Sequence, residues 1–504
     1  MTKPANLLMI MTDQQRWDAL SCAGNTVLET PNLDRLAASG AFFKTAMSPC
    51  PVCGPARSSI FTGCTLETNG VRTNMDADGE DTSIMPRQTY DEILVDQGYT
   101  AEYYGKWHSP THRALKYNNA VTPAGTERWE RGPGLRRSYL DYLEKHVPMI
   151  RSLNEGEQYD TYSQRPYRMD PMDSRYNKPP GEPRPPTQPD LHGTLDLSSE
   201  HTATAFTTRQ AMEAMERLQE GPFAITCSFH HPHAPILPTE PYASMYPAEE
   251  MEAPASIGDP MDNSPYIKAN GRLNHPEYAD TGKIKYMISN YHGLVREIDD
   301  WVGTLLGKLD ELGLAENTLV IFMSDHGEML GSHGMREKNI FYEESLRVPL
   351  MIRFPGRIAA GVEVDEPVSL LDIYATILDY LGVEAGPCDG KTLRRFIEPH
   401  ERAKEPFACA EWHWRKDTEP NVMIRTNRWK LFIPNTPTSR VLDAMYNLNN
   451  DPHEVNNLLG RNPDAPRYAR QAEHLKDLML SWLEDVNYPY IDGVRGRALG
   501  KVIE

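Results

Sequence analysis

A cysteine, a proline and an arginine in close succession mark the most reactive stretch of this chain, which begins at Ser48 with the sequence SPCPVCGPARSS. Pro55 follows Cys53 by two residues and can open a helix, because its φ angle is fixed and it has no N–H to lose. Small and apolar residues continue the pattern to Gly63, which can end the helix. Cys53 would then lie at the positive end of a helix, with Arg57 one turn further on. Such a position suits an anion and an ionised or oxygenated nucleophile.

Two buried strands are predicted to end close to an aspartate. The apolar runs at residues 6–11 and 319–323 are typical of strands in a parallel sheet, and Asp13 and Asp325 follow them within two residues. Taken alone, each aspartate is also typical of a residue that caps a turn. If the strands are neighbours, both carboxylates meet at the sheet edge where α/β proteins bind ligands. Two carboxylates in a cleft are costly unless a cation separates them, which favours a divalent metal ion.

Basic side chains follow other predicted elements. A strand predicted at residues 99–104 continues into Gly-Lys-Trp-His, where Lys106 and His108 alternate and would point the same way on an extended backbone. Considered alone, this pair is more typical of a solvated loop, and Lys338 is more typical of surface charge. A role in binding an anion for these three residues therefore depends on whether the fold brings other site residues close to them.

Histidines and cysteines raise the question of zinc. The strand predicted at residues 223–229 is followed by His230, His231 and His233, but only alternate residues share a face of an extended chain. Packing or hydrogen bonding is therefore the favoured explanation for His230 and His231. Three of the seven cysteines lie between residues 50 and 64, without the second pair that a zinc site requires. So few cysteines in so long a chain give no disulfide framework.

In combination, these motifs resemble the type I sulfatases of the alkaline phosphatase superfamily. The pentapeptide from Cys53 to Arg57 is similar to the Cys-x-Pro-x-Arg signature of that family, whose cysteine is oxidised after translation to formylglycine. Residues 105–108, 232–235, 338–343 and 446–454 also resemble family motifs, and they occur in the family order. The resemblance therefore extends from Asp13 to Glu454.

The resemblance implies a site for one divalent metal ion and an anionic ester. The implied metal ligands are Asp13, Gln14, Asp325, His326 and the oxygenated side chain of Cys53. Arg57 would hold the formylglycine, and the implied anion contacts are Lys106, His108, His233, Lys338 and, with weaker support, Asn74.

Two of these residues depart from the common sulfatase pattern. Gln14 replaces an acid and His326 replaces an asparagine, and both resemble the phosphonate monoester hydrolase branch of the superfamily. Lys106 and His108 instead resemble sulfatases. The nitrogen ligand from His326 favours Mn²⁺ relative to Ca²⁺, and the sequence excludes neither ion.

The implied reaction is hydrolysis of an aryl or small alkyl sulfate monoester through the formylglycine hydrate. Negative oxygens shield the sulfur, so the site must neutralise them and hold a strong nucleophile in line. The metal ion and the basic residues would do the first, and a hydroxyl of the hydrate polarised by the metal would do the second. His233 or Lys338 would protonate the leaving alcohol, and His108 would accept the proton of the second hydroxyl as the aldehyde forms again.

The order of elements and the resemblance indicate an α/β fold with a large mixed, mostly parallel sheet flanked by helices. We predict a catalytic domain over residues 1–383, with an ordered Pro-rich insertion around 111–197, and a small C-terminal α+β domain over residues 384–504. Long helices are expected at residues 199–219, 287–312 and 466–486, a strand at 347–353, and a hairpin at 422–433 that turns at Thr426 and Asn427. Residues 487–504 lack a core pattern and are predicted to reach a neighbouring subunit of a dimer or tetramer.

Composition narrows the classes of partner. A formal charge of −19 over 504 residues argues against nucleic acid and an anionic membrane, so the cations of the site must be a local cluster. The chain shows no secretory leader pattern and no apolar run that spans a bilayer, and a cytoplasmic location is the expectation. The expected partners are a small anionic ester as substrate and the formylglycine-generating enzyme during maturation.

Two other functions stay open on the sequence. The same machinery would hydrolyse phosphonate monoesters or phosphodiesters, and a chain with this fold can also be a binding protein without catalysis. The chemical state of Cys53 separates catalysis from mere binding, because the implied nucleophile exists only after conversion.

Overall fold

The computed structural model describes residues 4–77, 87–110, 139–147 without 140, 141 and 144, 167–169, 192–195, 197–266, 276–398, 405–414, 420–434 and 442–502. The strands in chain order are β1 Asn6–Asp13, β2 Ala41–Phe43, β3 Ala46–Met47, β4 Thr100–Gly105, β5 Tyr167–Met169, β6 Gly193–Leu195, β7 Phe223–Pro232, β8 Thr318–Ser324, β9 Arg347–Val348, β10 Leu350–Arg353, β11 Val362–Val364, β12 Val368–Ser369, β13 Phe407–Trp412, β14 Asn421–Thr426, β15 Trp429–Ile433 and β16 Ala444–Asn447. The α-helices are α1 Pro31–Ala38, α2 Cys53–Thr62, α3 Leu66–Asn69, α4 Asn74–Ala77, α5 Tyr90–Asp96, α6 Ala203–Leu218, α7 Tyr242–Met245, α8 Thr281–Glu311, α9 Glu343–Leu346, α10 Ile373–Leu381, α11 Arg394–Ile397, α12 Ala465–Asp485 and α13 Ile491–Arg495.

A seven-stranded sheet organises the larger part of the chain. Its strand order is β11-β2-β10-β8-β1-β7-β4. Strands β8, β1, β7 and β4 are parallel, whereas β10 is antiparallel to both of its neighbours. The predicted α/β class with a mixed, mostly parallel sheet is therefore confirmed. None of the described helices combines the length and apolar character needed to cross a bilayer.

Both faces of this sheet are covered, which explains why its central strands are apolar without alternation. In β1, Leu8 and Ile10 belong to a core shared with α6 and α8. Leu7, Met9 and Met11 belong to the opposite core, shared with α2, α5 and α10. All five side chains are fully buried. The rigid layer that results holds the carboxyl ends of its strands in fixed positions.

The C-terminal part forms a second, antiparallel sheet in the order β13-β14-β15-β16, with α12 packed against it. The pairing of Arg425 with Lys430 places the hairpin turn at Asn427 and Arg428, one residue later than predicted. The boundary predicted at residue 384 stays a prediction, and one apolar cluster contains residues from both sides of it, such as Leu346 and Met423.

A buried ion cluster joins the C-terminal sheet to the larger part of the chain. The ammonium group of Lys430 lies 2.8 Å from carboxylate oxygens of both Glu343 and Glu454. It also donates a hydrogen bond to the carbonyl oxygen of Phe341 at 2.9 Å, and the Glu343 N–H donates to Glu454 Oε2 at 2.7 Å. Lys430 is only 1% exposed, so this cluster lies inside the protein rather than on its surface.

The prediction that residues 487–504 lack a core is wrong. Tyr488, Val494 and Leu499 are buried in the core beneath the C-terminal sheet, and the Arg497 guanidinium lies 2.9 Å from the carboxylate of Asp443. These apolar residues are too widely spaced to produce a recognisable period. A dimer or tetramer stays a prediction, but this segment packs on its own chain.

Other predicted elements differ at their ends. Helix α8 begins at Thr281 rather than at 287, because the Asp280 side chain caps a polar first turn that has little apolar period. The strand predicted at 347–353 is divided at Pro349, which has no N–H for a ladder, so β9 pairs with β3 and β10 pairs with β8.

Much of the insertion at 111–197 lies outside the described residues, although the described residues between 139 and 146 are helical and β5 pairs with β6.

Two glycines with similar backbone angles give a test of the close contact at the end of β4. Gly105 has φ +92°, and a Cβ there would lie 1.7 Å from the carbonyl oxygen of Ser228, whereas Gly98 has φ +89° and no described atom within 4 Å of that position. Gly98→Ala should cost about 1–2 kcal/mol from backbone strain. Gly105→Ala should cost a further 1–3 kcal/mol, approximately, from overpacking. We expect the midpoint of thermal unfolding to fall in the order wild type, Gly98→Ala, Gly105→Ala; equal midpoints for the two variants would contradict the contact.

Candidate active site

Four potential metal ligands meet at the carboxyl edge of the large sheet. Ligand atoms of Asp13, Cys53, Asp325 and His326 all lie within 4.8 Å of one another, and all four residues are buried. The pairing of β1 with β8 produces this proximity, because Thr12 is in register with Ser324 and the Asp325 N–H donates to the Thr12 carbonyl oxygen at 3.2 Å. The structure thus brings together the two strand ends that the sequence indicated.

Two buried cations balance the paired carboxylates. Arg57 bridges them, with Nε 2.6 Å from Asp325 Oδ2 and Nη2 3.2 Å from Asp13 Oδ2. Lys106 Nζ lies 2.6 Å from the same Asp13 oxygen. Burial alone would raise the pKa of Asp13, but the nearby positive charges, Lys106 first and then Arg57, hold that pKa well below its usual range. Asp13 is therefore suited to remain ionised inside the protein.

The remaining carboxylate oxygens face His326. Its Nε2 lies 3.9 Å from Asp13 Oδ1 and 3.7 Å from Asp325 Oδ1. His326 Nδ1 lies 2.9 Å from the carbonyl oxygen of Gly327, to which a neutral imidazole donates from that nitrogen. That hydrogen bond leaves the Nε2 lone pair directed at the cluster, as in a metal-ligating histidine.

Cys53 is the first residue of α2, and its side chain enters the cluster. Gly63 ends the helix in the left-handed conformation, as the sequence predicted. Cys53 Sγ lies 3.0 Å from His326 Nε2 and 3.8 Å from Asp13 Oδ1. Burial, with the charge of Asp13 second, raises the pKa of the Cys53 thiol to about 12. The start of the helix therefore does not lower the pKa of this thiol.

Lys338 reaches the cluster from the segment before α9. Its Nζ donates to Gln14 Oε1 and lies 2.8 Å from His233 Nε2. His233 Nδ1 is 2.7 Å from the carbonyl oxygen of Ala234. Burial, then the charges of Lys338 and Lys106, keep the pKa of His233 well below its usual range. Lys338 is only 6% exposed, so the interpretation of this residue as surface charge is wrong.

His108 lies near the same cations, but for a different reason than predicted. Strand β4 ends at Gly105, and His108 has φ 45°, so residues 106–108 do not form the extended backbone that the sequence indicated. His108 is buried, and burial together with the charges of Lys106 and Arg57 holds its pKa well below its usual range. The turn, rather than alternation along a strand, brings His108 to the site.

Asn74 touches the start of α2. Its Oδ1 accepts a hydrogen bond from the Gly54 N–H at 3.0 Å, which satisfies a backbone donor of the first turn. The contact places Asn74 beside Cys53 and gives it a structural task. Its contact with an anion stays a prediction.

The three neighbouring histidines of β7 and the loop after it have different surroundings. His231 Nδ1 is 2.9 Å from Thr204 Oγ1, in agreement with the preferred explanation of hydrogen bonding. The His230 ring lies 4.8 Å from that of His233 and is buried. Among the described residues, the metal-capable group contains neither these histidines nor the other cysteines, so the zinc alternative is not supported.

Sequence reasoning missed the residues that support the predicted ones. Ser228 Oγ and the Lys106 carbonyl oxygen accept hydrogen bonds from Arg57 Nη1 at 2.9 and 2.6 Å. Glu328 accepts a hydrogen bond from Gln14 Nε2. For Ser228 the available signal was its place near the end of the strand predicted at 223–229, although in the structure β7 continues to Pro232. Glu328 is three residues after Asp325, but its partners are far apart in sequence and gave no signal.

The donor set fits a divalent metal ion. Two oxygens on opposite sides of a calcium ion are roughly 4.6–5.2 Å apart, since each bond is 2.3–2.6 Å long. The 4.8 Å limit within the cluster is of that size. Two aspartate side chains and one oriented imidazole are ligands for hard or borderline cations such as Ca²⁺ and Mn²⁺.

Comparison with known proteins gives the family. The family model described as sulfatase matches residues 5–383, which is most of the chain. The chain belongs to the sulfatase family. It is accordingly a sulfuric ester hydrolase of the alkaline phosphatase superfamily, as the motifs predicted. A second family model, described as the C-terminal part of N-sulphoglucosamine sulphohydrolase, matches residues 331–482.

Relatives cover the chain almost from end to end. An arylsulfatase of Clostridium perfringens is 27% identical, with 97% of this chain and 96% of the relative aligned. A multifunctional alkaline phosphatase superfamily protein of Trinickia caryophylli is 28% identical, with 95% of each chain aligned. The crystal structure of the phosphonate monoester hydrolase of Agrobacterium radiobacter superposes with a TM-score of 0.75 at 23% identity, over 96% of each chain, and so shares the fold.

Two lysines in ion pairs of equal length test the electrostatics of the site. Lys106 and Asp13 are fully buried, whereas Lys44 pairs with Glu363 at 2.6 Å on the surface, where the two side chains are 38% and 63% exposed. In metal-stripped protein, Lys106→Met should lower the free energy of unfolding by about 3–5 kcal/mol, because it leaves a buried carboxylate partly unpaired. Lys44→Met should cost less than about 1 kcal/mol. Thermal unfolding in EDTA measures both, and an equal effect of the two substitutions would contradict this account.

Proposed function

We propose that this sulfatase hydrolyses aryl or small alkyl sulfate monoesters through a formylglycine hydrate made from Cys53. The position of Cys53 carries the proposal: its Sγ lies between His326 Nε2 and Asp13 at the start of α2. The buried thiol is a poor nucleophile, because burial and Asp13 raise its pKa to about 12. Conversion to the hydrate would replace sulfur with two hydroxyl oxygens at the same place.

Asp13, Gln14, Asp325, His326 and the converted residue 53 would hold the metal ion. When bound, a divalent cation supplies the charge that polarises a hydroxyl of the hydrate and one oxygen of the ester. The His326 imidazole favours Mn²⁺ over Ca²⁺, although calcium accepts the same oxygen ligands. The identity of the ion belongs to the proposal.

The basic residues would neutralise and orient the ester. Lys106, His108 and Lys338 surround the cluster with donors that suit the oxygens of a sulfate group. Lys338 is the better proton donor to the leaving alcohol, because His233 donates from Nδ1 to the Ala234 carbonyl and accepts from Lys338 at Nε2. In this arrangement the transferable proton is on Lys338, and His233 holds it in place.

The bond changes balance over two steps. In the first, one hydroxyl of the hydrate releases its proton to solvent while its oxygen forms a bond to sulfur, the bond from sulfur to the ester oxygen breaks, and Lys338 gives its proton to the alcohol. In the second, His108 accepts the proton of the other hydroxyl, the carbon–oxygen bond to sulfate breaks, and the aldehyde forms. Water then adds to the aldehyde, and transfer of the proton from His108 back to Lys338 restores the site, so the sum is ester plus water to alcohol, sulfate and one proton.

Two residues favour a second candidate, the hydrolysis of phosphonate monoesters or phosphodiesters. Gln14 and His326 resemble the phosphonate monoester hydrolase branch, and the relative from Trinickia caryophylli is named as multifunctional. The same nucleophile and cations suit a singly charged phosphorus ester.

The state of residue 53 is directly measurable. After co-expression with a formylglycine-generating enzyme, we expect tandem mass spectrometry to find an aldehyde at residue 53 and an intact thiol at Cys50 in the same peptide. Cys53→Ala should not raise the rate of ester hydrolysis above the uncatalysed rate, with or without co-expression of that enzyme. A co-expressed protein that keeps the Cys53 thiol and is fully active would contradict the mechanism, and one that keeps it and is inactive would favour a binding protein.

Substrate preference separates the two hydrolytic candidates. We expect kcat/KM for 4-nitrophenyl sulfate to exceed that for 4-nitrophenyl phenylphosphonate by roughly tenfold or more, which is about 1.4 kcal/mol in transition-state stabilisation. The comparison keeps the leaving group constant and uses one preparation with a known degree of conversion. The reverse preference would favour the phosphonate candidate.

A further inference from the structure

We propose that Glu328 is a positioning residue that fixes the orientation of the Gln14 amide and the loop carrying Lys338, so that the site presents an amide oxygen to its cations. The importance of this inference for catalysis rests on the proposed function, but the metal-binding experiment that tests it does not require turnover. Glu328 is 4% exposed and is not one of the four grouped metal ligands.

The hydrogen-bond partners determine the amide orientation. Lys338 Nζ carries only donors, so the Gln14 atom that faces it must be the oxygen. Gln14 Nε2 then points at Glu328 Oε2, which accepts. Glu328 Oε1 accepts from the backbone N–H groups of Leu330 at 3.0 Å and Glu337 at 2.5 Å. A carboxylate supplies acceptors to all three donors at once, which an amide does not.

The same carboxylate holds the loop of Lys338. Glu337 and Asn339 flank this lysine with φ angles of 62° and 74°, a conformation that costs residues other than glycine roughly 1–2 kcal/mol each. Glu328 anchors the Glu337 N–H, and the carbonyl oxygen of Pro51 anchors the Asn339 N–H at 3.0 Å. Lys338 is therefore held from one side by Glu328 and from the other by the segment that leads into Cys53.

These contacts close a ring. It runs from Glu328 to Gln14, from Gln14 to Lys338, and through the Glu337 N–H back to Glu328. With Gln at position 328, the oxygen would be needed by the backbone donors, and the amide nitrogen would meet the nitrogen of Gln14. The Gln14 amide would then turn and present N–H donors to Lys338 and to the metal cluster, where they repel.

A polarity swap tests the ring. In Gln14→Glu/Glu328→Gln, position 14 accepts from the new amide and still offers an oxygen to Lys338, so the ring is complete with the charge moved to position 14. We expect Glu328→Gln to weaken the Kd for Mn²⁺ by about 10–100-fold, the size typical of a lost partner of a metal ligand. The double variant should return to within about threefold of wild type. Competition with a chelating dye measures Kd in unconverted protein, without turnover.

Controls separate positioning from loss of fold. Glu344→Gln alters a neighbouring buried carboxylate and should leave the Kd for Mn²⁺ unchanged, and the thermal midpoint is recorded for every variant. Wild-type Mn²⁺ affinity in Glu328→Gln would overturn the inference. An equal loss of affinity in the single and double variants would also overturn it, because that result would show that Glu328 only supports the loop. A wild-type protein that does not bind Mn²⁺ would overturn it as well. If the affinities follow the expected pattern while sulfate esters are not hydrolysed, the proposed function fails and the inference stands.

Discussion

The structure depends on the pairing of two buried carboxylates by one guanidinium. Arg57 contacts Asp13 and Asp325 with two of its nitrogens and uses the third for the Lys106 carbonyl and Ser228. It therefore joins the ends of β1, β8 and β4 to the middle of β7, and these are four adjacent strands of the sheet. Because Arg57 takes the Oδ2 atoms, both Oδ1 atoms remain directed at His326 and residue 53. A planar group with a rigid fork of donors is suited to this task, because it holds both carboxylates in fixed relative positions, whereas a lysine ammonium is a flexible point charge.

Balance of charge explains why so polar a site is buried at all. Desolvation of two carboxylates is expensive, and the nearby ammonium of Lys106 and guanidinium of Arg57 offset it. A divalent cation would add to that balance and would couple metal binding to stability, because a ligand set of this kind exists only in the folded chain. The surplus of positive charge, with Lys338 and the metal included, is what an anionic ester encounters in a protein whose net charge is −19.

The sequence predicted the parts of this site that depend on regular structure. Asp13 and Asp325 follow apolar runs that have to be buried strands, and α2 has Pro55 in its first turn and ends at Gly63, so periodicity and end signals were sufficient. His108 was placed for the wrong reason, because its left-handed turn has no sequence signal. Glu328 was not assigned a role from the sequence, since the role depends on contacts between segments about 300 residues apart, such as its hydrogen bond with Gln14. The segment after 487 was misjudged because a core of three widely spaced apolar side chains has no period.

The Lys430 cluster limits which parts of the chain can be exchanged with those of another protein. Its two carboxylates come from opposite parts of the chain, Glu343 beside the Lys338 segment and Glu454 beyond the C-terminal sheet, and the lysine between them belongs to that sheet. A C-terminal half without a base at the position of Lys430 would leave Glu343 buried without its ammonium partner, at a cost large enough to unfold a marginally stable protein. Any exchange of these two parts of the chain therefore has to keep the acid and the base of this cluster together.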